Sequence, residues 1–367
     1  MKNKVKLGEL VNIKTGKLDA NAANNKGKYP FFTTSEETFK IDTYAYDDEA
    51  VLVAGNGNLN VKYFYGKFNA YQRTYILTKK ENLKVNIKYI YYFLDKYLET
   101  LRSVSIGGVI KYIKLENLIN PVLDLPTIEI QNKIVKKLDT LKEVLDMYEK
   151  KINLLSNFNK SLFTMMFGDI KTNDKNWEIK KLGEVVQTQY GTSKKATSIV
   201  GEFPILRMNN ITYSGEMDYK DLKYIELSDS EKEKFLLKKG ELLFNRTNSK
   251  ELVGKTGLFN LDIPMAFAGY LIRIKPSNLI HSKFLLFFMN SEFMKKLLYN
   301  KAKNIVGMAN INAKELEDFS IILPPIELQN KFAEKVEKIE KLKFEIEKSI
   351  EIAQNLYDSL ISKYFDN

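Results

Sequence analysis

Two stretches of the chain carry an uninterrupted helical stripe of apolar side chains. The first runs from Ile130 through Ile134, Leu138, Leu141, Leu145, Tyr148, Ile152, Leu155, Phe158, Leu162 and Met166, in steps of three and four that keep every member on one helix face. The second runs from Leu328 through Phe332, Val336, Ile339, Leu342, Ile346, Ile350, Ala353, Leu356 and Leu360. Neither holds an internal Pro or Gly. Pro126 and the pair Pro324 and Pro325 stand at the entrances, where a missing N–H forfeits no helical bond. The pattern predicts long helices over 126–168 and 323–367, with globular regions over 1–125 and 169–322. At about 1.5 Å per residue each helix makes a rod on the order of 60 Å long.

A rod with one apolar stripe needs a partner, and its copy is the first candidate. Chain order favours antiparallel pairing, because parallel pairing would force the second globular region to carry the chain back along the whole rod. One globular region then sits at each end of a coiled-coil spacer. The alternative is that each helix packs on its own domain as ordinary core. Between the helices the pattern is mixed. "AVLVAGNGNLNVKYFYGKF" (50–68) has two β-rich runs around Asn56-Gly57, a hairpin signature because that pair accepts the positive φ of a tight turn. "NIKYIYYFLDKYLETL" (86–101) and "IHSKFLLFFMNSEFMKKLLY" (280–299) read as helices. Each globular region is expected to be α/β or α+β with a central sheet.

The chain repeats itself. "LPTIEIQNK" at 125–133 returns as "LPPIELQNK" at 323–331, an offset of 198. At the same offset "GGVIKYI" (107–113) falls on "IVGMANI" (305–311), and "SLFTMMFGD" (161–169) on "SLISKYFDN" (359–367). "KLGELVNIKTG" (6–16) echoes "KLGEVVQTQYG" (181–191) at an offset of 175. The offsets differ by 23 residues, so a constant frame with pseudo-twofold character encloses two unequal interiors.

Composition narrows the chemistry. At 367 residues with 44% hydrophobic content, two or more cores are expected. No apolar run of membrane-spanning length and no signal core appear, which points to the cytoplasm and away from membranes. With no cysteine and one histidine, His281, disulfides, thiolate catalysis and histidine metal sites are excluded, and His281 is expected at the surface or in packing. The net charge is +11; the segments 126–168 (+2) and 324–367 (−2) cancel, so the excess lies in the globular regions and suggests a polyanionic partner. Catalytic motifs are absent. The only Pro-Pro pair opens a helix instead of following the Asn or Asp of an adenine methyltransferase. "GNGN" is a turn, not a dinucleotide loop, and "SKELVGKTG" (249–257) has Ser249 where a phosphate-binding loop needs its first glycine. "DSEKEKF" (229–235) is a solvated helix face.

The Leu-Pro phrase opening each helix, "SLFTMMFGD" closing the first and the unequal interiors together resemble the specificity subunit of type I restriction-modification systems. The interiors add to it: "YPFFTTS", "AVLVAGNGN" and "GKFNAYQRTYIL" look like one common type of target recognition domain, "ELLFNRTNSKELVGKTGLF" like another. The resemblance implies that two target recognition domains each read half of a bipartite, asymmetric site in double-stranded DNA. The two helices then act as a ruler and dock two methyltransferase subunits, which bind S-adenosylmethionine and methylate adenine. Restriction complexes add two restriction subunits using ATP and Mg2+. The specificity subunit itself binds no cofactor and catalyses nothing.

Base reading favours Arg on guanine and Asn or Gln on adenine, because their paired donors and acceptors match those base edges. In the first region the candidates are Thr33, Thr34 and Ser35, then Asn56, Asn58, Lys62 and Tyr63 at the hairpin, with Gln72 and Arg73 nearby. In the second they are Arg207, Asn209 and Asn210 after "FPIL", and Asn245, Arg246, Thr247, Asn248 and Ser249 after "GELLF". Turn chemistry explains the same residue types, since Asn, Ser and Thr populate loops generally. Helix pairing or partner docking is assigned to Ile134, Leu138, Leu141, Leu145, Tyr148, Ile152 and Leu155, and to Phe332, Val336, Ile339, Leu342, Ile346 and Ile350. The competing function is a coiled-coil scaffold without sequence-specific DNA binding, which has no need of two basic globular regions.

Overall fold

The computed structural model describes residues 3–198, 201–305 and 308–366. They form two units, Met1–Lys150 with Ile346–Asn367, and Lys151–Glu345. Val306 and Gly307, within the repeated segment 305–311, lie outside the described residues.

In the first unit β1 (Asn3–Lys6), α1 (Leu7–Leu10), β2 (Val11–Thr15), β3 (Tyr29–Phe32), β4 (Phe39–Ile41), β5 (Tyr46–Ala54), β6 (Val61–Ala70) and β7 (Thr74–Lys79) lead into α2 (Ile87–Ser103). The turn α3 (Glu116–Ile119) and β8 (Val122–Leu125) then deliver the chain to α4 (Ile128–Phe167). Six strands make one sheet, β2-β7-β5-β6-β3-β4, antiparallel except for β3 on β6, and β1 pairs with β8. Its inward face is apolar: Val51, Val53 and Leu77 share a core with Tyr89, Ile90, Tyr92 and Phe93 of α2.

The second unit continues with β9 (Glu178–Lys181), α5 (Leu182–Val185), β10 (Val186–Tyr190), β11 (Phe203–Leu206), β12 (Lys223–Ile225), α6 (Asp229–Phe235), β13 (Leu242–Asn245), β14 (Thr247–Asn248), β15 (Thr256–Leu258), β16 (Ala266–Phe267) and β17 (Leu271–Pro276). There follow α7 (Ser282–Met289), α8 (Glu292–Lys301), β18 (Lys303–Ile305), β19 (Met308–Asn310), α9 (Ala313–Glu317), β20 (Ser320–Leu323) and α10 (Ile326–Phe365). The pairings β10-β17-β13-β15, β12-β11-β16 and β9-β20 match those of the first unit, but the strand corresponding to the long β6 is broken into β15 and β16. One sheet therefore becomes two. Both units mix chiefly antiparallel sheets with helices, which makes them α+β.

A glycine shows how closely the frame is kept. A Cβ on Gly16 would stand 2.2 Å from the Ala70 carbonyl oxygen, and one on Gly191 would stand 2.3 Å from that of Ala268. These residues end the two "KLGE" segments, and only glycine lets the strands pass that close.

Each long helix contributes to both units. In the first, Ile134, Val135 and Leu138 of α4 and Tyr357, Ile361 and Phe365 of α10 join the core under α2. Lys142 of α4 lies over the Tyr357 ring at 5.5 Å, while Phe365, further along α10, packs on Tyr89 at 4.9 Å near the start of α4. The two helix segments are thus antiparallel there. In the second unit Phe163 and Phe167 of α4 meet Phe284, Phe287 and Phe332, with centroids 4.7 to 6.1 Å apart. Burying each such ring is worth about 1.5–3 kcal/mol.

The repeated Leu-Pro phrase has a specific task, and its glutamine performs it. Gln131 and Gln329 are both 0% exposed. The Gln131 Oε1 accepts from the Asn86 backbone N–H at 2.9 Å, and its Nε2 donates to the Pro126 carbonyl at 2.8 Å. The Gln329 Oε1 accepts from the His281 N–H at 2.8 Å, and its Nε2 donates to the Pro324 carbonyl at 2.7 Å. Asn86 and His281 are the N-caps of α2 and α7. His281 is accordingly a capping residue, its Nδ1 accepting from the Lys283 N–H at 3.1 Å. One side chain in each unit thus locks the entrance of a long helix to the start of a domain helix. Ion pairs between the same helices support each joint, Lys88 of α2 with Asp139 of α4 at 2.8 Å and Lys283 of α7 with Glu340 of α10.

Several expectations are corrected. The run 280–299 is two helices, because Asn290 turns away to donate to the Thr256 carbonyl at 2.7 Å and Ser291 caps the second. The Asn56-Gly57 pair does not form a two-residue turn: Ala54 N–H bonds Asn60 O at 2.9 Å, closing a longer loop in which only Gly57 has positive φ (+71°). On α10 the inward face shifts off Leu356, which is exposed, onto Tyr357 and Ile361, which are buried, while Leu360 stays half-buried against the core, as a 3.6-residue turn drifts against a strict three-and-four count. Ile134, Leu138, Phe332, Val336 and Ile346 are buried, whereas Leu141, Leu145, Tyr148, Ile152, Leu155, Ile339 and Ile350 are half-buried. Leu342 is 45% and Phe158 54% exposed.

Replacing Gln329 by Leu orphans the His281 N–H and the Pro324 carbonyl and should cost the second unit roughly 1–3 kcal/mol. Trp177, the one tryptophan, lies in that unit. Urea unfolding followed by its fluorescence should shift to lower denaturant for Gln329→Leu and much less for Gln131→Leu, which should instead appear in far-ultraviolet circular dichroism. Equal fluorescence shifts would contradict the assignment.

Candidate nucleic-acid interface

In the first unit the predicted polar loops converge. Tyr71 N–H bonds Phe32 O, and Gly55 N–H bonds Arg73 O, joining the loops that follow β3, β5 and β6. Asn58 donates to the Glu36 carboxylate at 2.7 Å, Asn60 to the Thr34 carbonyl at 2.9 Å and Lys62 to the Ser35 carbonyl. Lys62 is therefore a clamp between loops. Burial lowers its pKa, with Glu36 opposing. Thr33 is buried and caps the turn by accepting from Ser35 N–H at 3.2 Å. Gln72 and Arg73 are exposed beside Asn56, which is half-buried and bridged to Tyr112. Tyr63 lies elsewhere. Its hydroxyl donates to Glu49 at 2.8 Å and Lys88 of α2 covers its ring, so strand alternation has turned it to the helix side of the sheet.

In the second unit the loop after β11 is a closed network. Asp221 takes Arg207 at 2.9 Å and Asn209 at 3.2 Å. Asn210 is buried and spends its amide on the Arg207 N–H and the Asp218 and Asp221 carbonyls. It shapes the loop and has no donor left for a base. Lys255, also buried and just before β15, reaches to the Met208 and Ile211 carbonyls at 2.9 and 2.5 Å. The lysine of the phosphate-loop lookalike is thus structural, and it joins the 207–211 loop to the 245–254 loop.

That second loop is closed by Gly254 N–H on Asn245 O at 2.8 Å. The Arg246 guanidinium lies over the Tyr190 ring at 4.8 Å, which fixes its plane while leaving its side chain half-exposed. Asn245 is 0% exposed and its amide finds no partner among the described residues, so it does not reach the surface. Thr247 is buried and paired with Asn310, while the Asn248 side chain accepts from Ser249 N–H at 2.9 Å. Beside this loop a cavity of about 260 Å³ is lined by four lysines, Lys250, Lys255, Lys295 and Lys296, with Glu251, Val253, Tyr213 and Tyr299. Lys295 sits 3.9 Å from the Tyr213 ring centre, and burial followed by the charge of Lys160 lowers its pKa. Sequence reading missed this cluster, since its lysines come from two segments some forty residues apart.

Each unit therefore presents polar and basic loops held by internal hydrogen bonds, with the exposed Arg73 in the first and the half-exposed Arg246 in the second as planar donors. A family model described as the type I restriction modification DNA specificity domain matches residues 2–157 and again 174–354. The type I restriction enzyme EcoDI specificity subunit of Escherichia coli is 27% identical over 400 residues, covering 98% of this chain and 87% of its own. The EcoKI specificity subunit of Escherichia coli strain K12 is 28% identical over 291 residues, covering 73% and 62%. Among solved structures, the S subunit of a type I restriction-modification system from M. genitalium matches with TM-score 0.68 at 17% identity, over 100% of this chain and 96% of that one. At that identity the likeness speaks for the fold. The doubled family match, spanning most of the chain, shows that it belongs to the type I restriction-modification DNA specificity family.

Proposed function

We propose that the chain is the DNA-specificity subunit of a type I restriction-modification complex and reads a bipartite, asymmetric site with one unit per half-site. The observation that carries this is the double family match laid over two units, each of which gathers its polar loops into one set. The interiors differ in length and in their exposed donors, which supports two different half-sites. The two forty-residue helices serve as a coiled-coil spacer within a pseudo-twofold frame. They also dock two methyltransferase subunits: Leu154 and Met165 of α4, both 66% exposed, and Ile352 of α10, 69% exposed, are apolar beyond what helix pairing covers. S-adenosylmethionine belongs to those subunits, and ATP and Mg2+ to restriction subunits where they join. The chain contributes recognition and no chemical step. A scaffold role would leave the basic excess of the globular regions without a use and predicts no DNA affinity even at low salt.

Mapping N6-methyladenine in DNA modified by the chain with its methyltransferase tests this reading. Arg246→Ala should relax recognition at one half-site only, by roughly 1–3 kcal/mol if its fork is bidentate on a base. Equal loss at both half-sites would refute the assignment. Removing about one helical turn between residues 140 and 155 should change the gap between half-sites and leave their sequences alone. Ile352→Ser with Leu356→Ser should reduce methyltransferase co-purification at least tenfold while the melting temperature holds; retained co-purification would move docking off this face.

A further inference from the structure

The repeated segment 107–113 has no assigned task, and its surroundings are unusual. Between α2 and α3 the chain forms a narrow loop closed by Ile106 N–H on Tyr112 O at 3.0 Å and Tyr112 N–H on Ile106 O at 2.8 Å. At its tip, after Gly107 (φ +117°) and Gly108, Val109 is fully exposed and Ile110 is 62% exposed. Val104, Ile106 and Tyr112 at its base are each at least 40% exposed. Two β-branched side chains held this far into water on a closed loop form an apolar patch that calls for a partner.

The loop's attachments say which partner. Gly57 N–H bonds Lys111 O at 2.9 Å, Ile113 N–H bonds Gly55 O at 3.0 Å, and Asn56 bridges Tyr112. The apolar tip is thus hydrogen-bonded to the 55–60 loop, inside the polar loop set of the first unit. Lys111 and Lys114 flank it, and no acidic residue occurs between Thr100 and Leu115. The corresponding place in the second unit is tied in the same way, with Asn310 paired to Thr247 and Ile311 N–H bonded to Arg246 O at 3.0 Å. The frame therefore brings this segment to the loop set in both units.

We propose that Val109 and Ile110 form a wedge that enters the minor groove and partly unstacks one base step at or beside the first half-site, while Lys111 and Lys114 grip the adjoining phosphates. Apolar side chains on a narrow, cation-flanked element are the means by which proteins open a base step and bend the duplex. The inference rests on the proposed DNA-reading role and adds deformation of the target to it. Sequence preference then arises partly from how easily that step unstacks.

The test uses the full chain with its methyltransferase partner and a duplex carrying the target mapped by methylation, with 2-aminopurine placed in turn at each position of the first half-site and its flanks other than the methylated adenine and its immediate neighbours, which the partner unstacks by flipping. Wild-type protein should raise the emission several-fold at one step. V109S/I110S should abolish that rise and bind about tenfold more weakly with an unchanged salt slope, because no phosphate contact is lost. K111A/K114A should flatten the slope and leave the emission rise in bound complex. Both variants should keep the wild-type melting temperature, since the residues are exposed. The wedge is overturned if wild-type raises emission nowhere, if V109S/I110S binds like wild-type, or if that variant sheds the methyltransferase while the chain alone keeps its DNA affinity. A wild-type chain that does not prefer the mapped duplex to a scrambled one overturns the DNA-reading role as well.

Discussion

A buried amide that must satisfy both its ends organises this protein. Gln131 and Gln329 each accept from the N-terminal cap of a domain helix and donate to the carbonyl of a proline before the long helix. A carboxylate in the same place would lack the donor and carry a buried charge, and a hydrocarbon would leave two backbone groups unpaired. The geometry is therefore fixed where domain helix and long helix begin, and the ion pairs Lys88–Asp139 and Lys283–Glu340 extend the contact. With that joint secured, and with Gly16 and Gly191 holding the strand crossing behind it, the remainder of each unit is free to vary in length and content.

The variation is visible in the sheets. In the first unit β6 runs ten residues and holds six strands in one sheet. In the second the equivalent path is interrupted between Leu258 and Ala266, and the sheet divides into a four-stranded and a three-stranded part. The loops that close each sheet inherit the difference. Arg73 stands at a tight corner after β6, whereas Arg246 is braced on Tyr190 by a stack.

Periodicity made the two long helices legible, because forty residues of stripe average out local noise, and the repeat made the frame legible because constraints on the joint recur. The loop residues were harder to read. Asn210, Asn245 and Tyr63 are ordinary reader residues by type, yet a network around Asp218 and Asp221 consumes the first, burial removes the second and strand alternation turns away the third. Lys62 and Lys255 look like phosphate grips and are instead clamps on carbonyls. Such outcomes depend on partners far away in the chain, and loop composition does not encode them.

The first unit is built from two segments far apart in the chain, with the Lys96 ammonium reaching Ser362, 266 residues later. A ribosome therefore releases residues 1–150 long before Tyr357, Ile361 and Phe365 exist to cover Tyr89, Tyr92 and Phe93. The second unit, contiguous in sequence, has all its parts earlier. Synthesis thus runs in one direction and completion in the other: the unit made first is the one finished last, and its aromatic face stays uncovered until the end of α10 has been made.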